Sequence, residues 1–108
     1  MSTLGSALDD LAKTIAERAA AGDASSSYTA KLLSEGLEKC AKKFGEEAVE
    51  AILAAKDPAH LTKEAADVLY HLLVLLRAAG VDAEAVAAEL EKRAGVSGLE
   101  EKASRPKG

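Results

Sequence analysis

Five carboxylates stand in two short motifs whose spacing would bring their oxygen atoms together on helices. The first motif is Glu-Glu-x-x-Glu, formed by Glu46, Glu47 and Glu50, and the second is Glu-x-x-Asp, formed by Glu64 and Asp67. Residues three and four apart are neighbours on a helix surface, so each motif gathers negative charge. In a cleft such charges need a cation, and Mg²⁺ is a hard cation that prefers oxygen ligands. The two motifs therefore predict a magnesium site built from all five residues.

The first motif has a simpler alternative, which is a charged helix face in solvent. Lysines stand four residues before Glu46 and before Glu47, so ordinary ion pairs along one helix would explain these acids without a metal. The second motif favours the metal, since Glu64 and Asp67 border or lie within a segment, residues 65–76, that is apolar almost all round. Acids on such an element are rarely left without a partner. The site prediction consequently depends on the second motif as much as on the first.

Three further reactive side chains carry a weaker signal. His71 lies on the same face as the second motif, where it could be a metal ligand or a partner of one. We favour the alternative that it is a hydrogen-bonded residue of the core. His60, near the start of a predicted helix, has no recognisable partner. Cys40 falls on an apolar stripe and has no evident base beside it, so it is interpreted as a packing residue. A single cysteine also excludes an intramolecular disulfide.

The elements that would carry these residues are helices, because apolar residues recur every three to four positions and only two prolines interrupt the chain. The pattern predicts an all-α chain of four to five helices. They comprise a first helix ending near Ala21 before Gly22, a long helix from about 29 to 55, a third from 58 to about 79, and a fourth from 83 to about 93. Residues 96–108 are predicted to form a mobile tail on a single domain that spans 1–108.

Composition restricts the kind of protein. Of 108 residues, 48% are hydrophobic and only 3% aromatic, so the core must consist of Ala, Leu, Val and Ile. A net charge of −4 argues against nucleic-acid binding, and the longest nearly uncharged run is too short to cross a bilayer. We expect a cytoplasmic protein. The third predicted helix needs cover on most sides, which one small subunit cannot supply, so we expect a homodimer that shares a helical bundle.

Several segments together closely resemble the phosphoribosyl-ATP pyrophosphatase family, and more widely the MazG-like all-α nucleotide pyrophosphohydrolases. The segments follow one another in the family's order and span residues 28–105. They are Ser27-Tyr-Thr-Ala-Lys-Leu-Leu33, Gly36-Leu-Glu-Lys39, Lys43-Phe-Gly-Glu-Glu-Ala-Val-Glu50, Glu64-Ala-Ala-Asp67, Leu69-Tyr-His-Leu-Leu-Val-Leu-Leu76 and Ser97-Gly-Leu-Glu-Glu-Lys-Ala-Ser-Arg105.

The resemblance implies Mg²⁺-dependent hydrolysis of the α–β phosphoanhydride of 1-(5-phosphoribosyl)-ATP to phosphoribosyl-AMP and pyrophosphate, in the second step of histidine biosynthesis. It implies that the two acidic motifs hold the metal and that Glu47 or Glu50 activates water, a choice that the sequence leaves open. Basic residues near the acids or in the tail become candidates for binding the substrate phosphates. These are Lys31, Lys39, Lys43, Lys102 and Arg105.

Two other functions remain compatible with the residues. One is a housekeeping nucleoside triphosphate pyrophosphohydrolase of the MazG-like kind, which would use the same metal chemistry on other nucleotides. The other is a non-enzymatic helical dimerisation module whose acids merely keep it in solution. Turnover of phosphoribosyl-ATP distinguishes the first from the expected activity, and loss of Mg²⁺-dependent turnover on substitution of Glu47 and Asp67 distinguishes the second.

Overall fold

Helices account for most of the described chain, as the apolar periodicity predicts. The computed structural model describes residues 2–94 and residue 105, and no β-strand occurs among them. The five helices are α1 (Leu4–Ala21), α2 (Tyr28–Ser34), α3 (Leu37–Leu53), α4 (Pro58–Ala78) and α5 (Ala83–Arg93). The predicted all-α fold is therefore confirmed for this part of the chain. No helix within it is both long enough and apolar enough to cross a membrane.

Local capping chemistry explains where most helices begin and end. The Asp57 carboxylate accepts the backbone N–H of His60 at the start of α4, and Pro58 occupies the first helical position, where its missing N–H costs nothing. Gly22 ends α1 in the left-handed conformation, with φ 63°, and donates its N–H to the Arg18 carbonyl. Asp82 caps α5 by accepting the Glu84 N–H. The predicted ends of these three helices are confirmed.

The prediction of one long helix over 29–55 is wrong, because the chain breaks at Gly36. This residue has φ 98° and ψ 172°, a conformation essentially restricted to glycine, and it stands as the N-cap of α3. Gly45, which the sequence pattern also placed inside a helix, does lie within α3. Glycine in a helical pattern predicts neither outcome by itself. The break redirects the chain so that α2 packs against α1 while α3 packs along α4.

The core joins the first four helices through one fully buried side chain from each. Ile15, Leu32, Cys40 and Val74 form it, from α1, α2, α3 and α4 respectively. Cys40 is only 1% exposed, and its thiol donates to the Leu32 carbonyl oxygen at 3.3 Å across the α2–α3 break. Burial raises the pKa of this thiol, with a smaller contribution from the charge of Glu35. Its environment fits the packing role expected from the sequence.

The pair of helices that carries both acidic motifs is an α-helical hairpin. Helices α3 and α4 make the most extensive helix–helix contact in the described chain and are joined by only residues 54–57. In an antiparallel hairpin, residues equally far from the loop lie opposite one another, and Glu47 and Glu64 stand equally far from it. The hairpin therefore brings the two acidic motifs side by side.

Candidate active site

Three of the five predicted metal ligands converge between the two helices of the hairpin. One carboxylate oxygen from each of Glu47, Glu64 and Asp67 lies within 4.8 Å of the others. Glu47 and Glu64 are half-buried, whereas Asp67 is exposed in the single chain. We call these residues the carboxylate triad. Two helices contribute to it, so tertiary packing rather than spacing along one helix makes the cluster.

The other two predicted ligands lie outside the triad. Glu46 is exposed, and its carboxylate accepts the Lys43 ammonium at 3.3 Å, an ion pair between residues three apart. The alternative to a metal suggested by the sequence was a pair of ion pairs, Lys42 with Glu46 and Lys43 with Glu47. The observed partner of Lys43 is Glu46 rather than Glu47. Glu50 is also exposed. It stands three residues after Glu47, so it lies about one helical turn further along the same side of α3. Both side chains are exposed and do not belong to the triad.

Lys43 is the predicted phosphate-binding lysine that the structure brings nearest to the acids. The hydrogen bond to Glu46 raises the pKa of its ammonium, with further contributions from Tyr28, Glu46 and Glu47. Lys43 therefore stays cationic beside the triad. Lys31 on α2 and Lys39 on α3 are exposed. In the tail, Lys102 lies outside the described residues, whereas Arg105 is described and exposed.

His71 lies behind the triad as a buried side chain that is packed on aromatic rings. Its ring meets Tyr70 edge to face at a centroid distance of 5.0 Å, and Tyr28 at 6.2 Å. Burial lowers the pKa of His71, while the charge of Glu47 opposes that change. The lowered pKa favours the neutral imidazole, and its burial agrees with the core position favoured from the sequence, while the expected hydrogen bond stays a prediction.

Two residues at the site escaped sequence reasoning. The His60 imidazole Nε2 lies 3.3 Å from a Glu64 carboxylate oxygen and so supports one member of the triad. The spacing of four residues on one helix was the available signal for this pair. Tyr28, the first residue of α2, is exposed and stacks near Tyr70 beside the acidic face. No spacing rule could place it there, since it lies on another helix.

The triad is an open surface feature and does not line the deeper cleft of the molecule. A cleft of about 530 Å³ lies between α1 and the α4–α5 turn, with Ile15, Leu73, Arg77 and Val81 in its wall. It contains none of the predicted ligands. The candidate site is therefore identified by the chemistry of its carboxylates and not by concavity.

Comparison with known proteins gives a family match over most of the chain. The family model described as phosphoribosyl-ATP pyrophosphohydrolase matches residues 8–94, which include the whole triad. A protein named phosphoribosyl-ATP pyrophosphatase 1 from Bradyrhizobium diazoefficiens is 62% identical over 91% of this chain and 93% of its own length. The phosphoribosyl-ATP pyrophosphatase of Dinoroseobacter shibae is 63% identical over 93% of this chain and 99% of its own length. This chain belongs to the phosphoribosyl-ATP pyrophosphohydrolase family.

Proposed function

We propose that this protein hydrolyses the α–β phosphoanhydride of phosphoribosyl-ATP to phosphoribosyl-AMP and pyrophosphate, the second step of histidine biosynthesis. The observation that carries the proposal is the carboxylate triad, which lies inside the region that the family model matches. Relatives about 60% identical over nearly the whole chain bear the corresponding name. The single domain over 1–108 and the cytoplasmic location remain predictions from the sequence.

The triad fits a magnesium ion in the nature and spacing of its donor atoms. Mg²⁺ takes oxygen ligands at about 2.0–2.1 Å, so ligands on opposite sides of the ion stand about 4.2 Å apart. The oxygens of Glu47, Glu64 and Asp67 lie within 4.8 Å of one another, somewhat further apart than the ligands of a bound ion, so binding would draw them together. When bound, Mg²⁺ would offset the repulsion between carboxylates and phosphates and would acidify water. Glu46 and Glu50 complete the proposed ligand set from the solvent side.

The roles of the remaining residues follow from their places around the triad. Glu47 or Glu50 is proposed to accept the proton of the attacking water, because one Glu47 carboxylate oxygen belongs to the triad and Glu50 stands about one helical turn from it. Lys43, kept cationic by its neighbours, would stabilise charge that develops on the phosphoryl oxygens. The exposed side chains of Lys31, Lys39 and Arg105, together with Lys102, are proposed to hold the outer phosphates.

The decisive experiment measures pyrophosphate release from phosphoribosyl-ATP against a panel that includes ATP, dUTP and dCTP, with and without Mg²⁺. We expect fast Mg²⁺-dependent turnover of phosphoribosyl-ATP alone. Turnover of only the common nucleotides would instead support a housekeeping pyrophosphohydrolase. No turnover of any nucleotide in the presence of Mg²⁺ would favour the dimerisation module.

Matched substitutions then connect activity to the triad. Glu47→Gln and Asp67→Asn remove one charge each at nearly constant volume and should lower kcat/KM at least roughly 100-fold. Glu91→Gln removes the same charge from an exposed position on α5 and should leave activity unchanged. Equal activity in all three variants, at unchanged melting temperature, would show that the triad is only a charged surface.

We also propose that the protein is a homodimer. Val49, Ile52 and Leu53 form an apolar strip at the end of α3, where Ile52 is 72% and Leu53 75% exposed. Residues three and four apart share one face of a helix, so the strip is continuous, and contiguous exposed apolar surface marks contact sites. Ile52→Asp should convert the dimer to a monomer, as measured by light scattering coupled to gel filtration. A monomeric wild-type protein would contradict the proposal.

A further inference from the structure

Tyr28 is a large aromatic side chain for which the metal chemistry has no use. It begins α2 and is 53% exposed. Its ring lies nearly parallel to that of Tyr70, at 20° and a centroid distance of 6.4 Å. The edge-to-face contact with His71, at 89°, holds it from a second direction. The ring therefore packs against two residues of α4, while the residue as a whole remains about half exposed.

The position of Tyr28 borders the proposed active site on the α2 side. The Tyr28 ring contacts both Tyr70 and His71. These two residues stand three and four positions after Asp67 on α4, so they lie about one helical turn from that member of the triad. Tyr28 thus packs on the part of α4 that adjoins the triad.

We propose that Tyr28 is the residue that recognises the nucleobase, by stacking its exposed ring on the purine of the substrate. This inference rests on the proposed function, because it takes the scissile phosphates to lie at the triad. In a nucleotide, the base is separated from the α-phosphate by a single ribose, so a phosphate held there brings the purine to the edge of the site. Aromatic rings bind bases through their faces, without any charge.

A hydrogen bond from the Tyr28 hydroxyl to a phosphate is the competing role for this residue. Lys43 beside it already offers a full positive charge for that purpose. What Tyr28 adds is a flat apolar surface, and its contacts with Tyr70 and His71 reduce the ordering that binding would require. We therefore assign the ring, rather than the hydroxyl, to the substrate.

The test compares three variants by calorimetric titration with AMP and, separately, with pyrophosphate, both in the presence of Mg²⁺. Tyr28→Leu should weaken AMP binding roughly 10- to 100-fold and leave pyrophosphate binding unchanged. Tyr28→Phe and Tyr28→Trp keep a stacking surface and should bind AMP within about threefold of wild type. Circular dichroism and melting of each variant exclude misfolding as the cause.

Two results would overturn the inference: unchanged AMP affinity in Tyr28→Leu, or a loss in Tyr28→Phe as large as in Tyr28→Leu. The second result would assign the hydroxyl instead. Failure of the proposed function is separate, since it would appear as wild-type protein that binds both probes and does not hydrolyse phosphoribosyl-ATP. A parallel loss of pyrophosphate affinity in Tyr28→Leu would also count against base recognition, because stacking does not involve the phosphates.

Discussion

The break between α2 and α3 predicts opposite effects for the same substitution at two glycines. Gly36 lies at φ 98° and ψ 172°, where an L-residue is strained, whereas Gly45 has helical geometry inside α3. At both positions a Cβ atom would meet nothing within 4 Å. Gly36→Ala and Gly45→Ala therefore differ only in backbone conformation, and each serves as the control for the other.

The expected magnitudes follow from that conformational difference. A non-glycine residue in the region of Gly36 costs about 1–3 kcal/mol, from which the reduced entropy of the unfolded chain removes about 0.4–1 kcal/mol. Gly36→Ala should thus lower the free energy of unfolding by about 1.3 kcal/mol, and by no more than about 2.6 kcal/mol. Gly45→Ala gains the helix preference of alanine, about 0.8–1.0 kcal/mol. In a domain of this size, each kcal/mol shifts Tm by about 4–8 °C.

Thermal and urea unfolding of the two variants, at equal protein concentration, measure these changes. Equal concentration matters because association with a second subunit makes Tm depend on it. If residues 29–55 formed one continuous helix, Gly36→Ala would stabilise the protein as Gly45→Ala does. A Gly36→Ala variant that melts at or above the wild-type temperature would therefore refute the break. Activity of Gly45→Ala adds a second reading, since lost turnover in a more stable protein would indicate that a ligand approaches this glycine next to the acidic motif.

Three further outcomes are expected. Thr29→Val should destabilise the protein by about 1 kcal/mol, because it removes the hydroxyl that forms a part-buried hydrogen bond with Tyr70. The double variant with Tyr70→Phe should lose less free energy of unfolding than the sum of the two single variants. Cys40, whose pKa is raised by burial, should resist a thiol reagent in the native protein. Labelling should require a higher pH than for a free cysteine, or unfolding of the protein. Fast labelling at neutral pH would contradict its burial. His60→Ala should weaken Mg²⁺ binding roughly 10-fold by releasing the Glu64 carboxylate, whereas unchanged Mg²⁺ affinity in calorimetry would show that the pair is incidental.

Much of the fold follows from local rules that operate within a few residues. Gly22, Asp57 with Pro58, and Asp82 determine helix ends through caps and backbone preferences that do not depend on the rest of the molecule. Sequence periodicity therefore predicted α1, α4 and α5 closely. Gly36 is the exception, because the same residue type is compatible with a helix interior and with a break. Only the packing of α2 on α1 and of α3 on α4 selects the break.

The candidate site divides in the same way between sequence and tertiary structure. The types and spacing of the five carboxylates identified the chemistry and, with the family resemblance, the reaction. Which of them meet is decided by the register of the α3–α4 hairpin, which places Glu47 against Glu64 and Asp67 and leaves Glu46 and Glu50 on the solvent side. The register depends on side-chain packing between helices, and no pattern within one helix specifies it.

Contacts between helices that are distant in sequence account for what sequence reasoning did not find. Tyr28 reaches the acidic face through rings on α4, more than forty positions further along the chain, as its contacts with Tyr70 and His71 show. Spacing rules describe neighbours on one helix, so they identify acids that can share a metal and miss an aromatic residue that joins them from another helix. The sequence by itself predicted three of the five helices closely and suggested a metal site of carboxylates, whereas tertiary packing decided where the chain breaks and which side chains lie together.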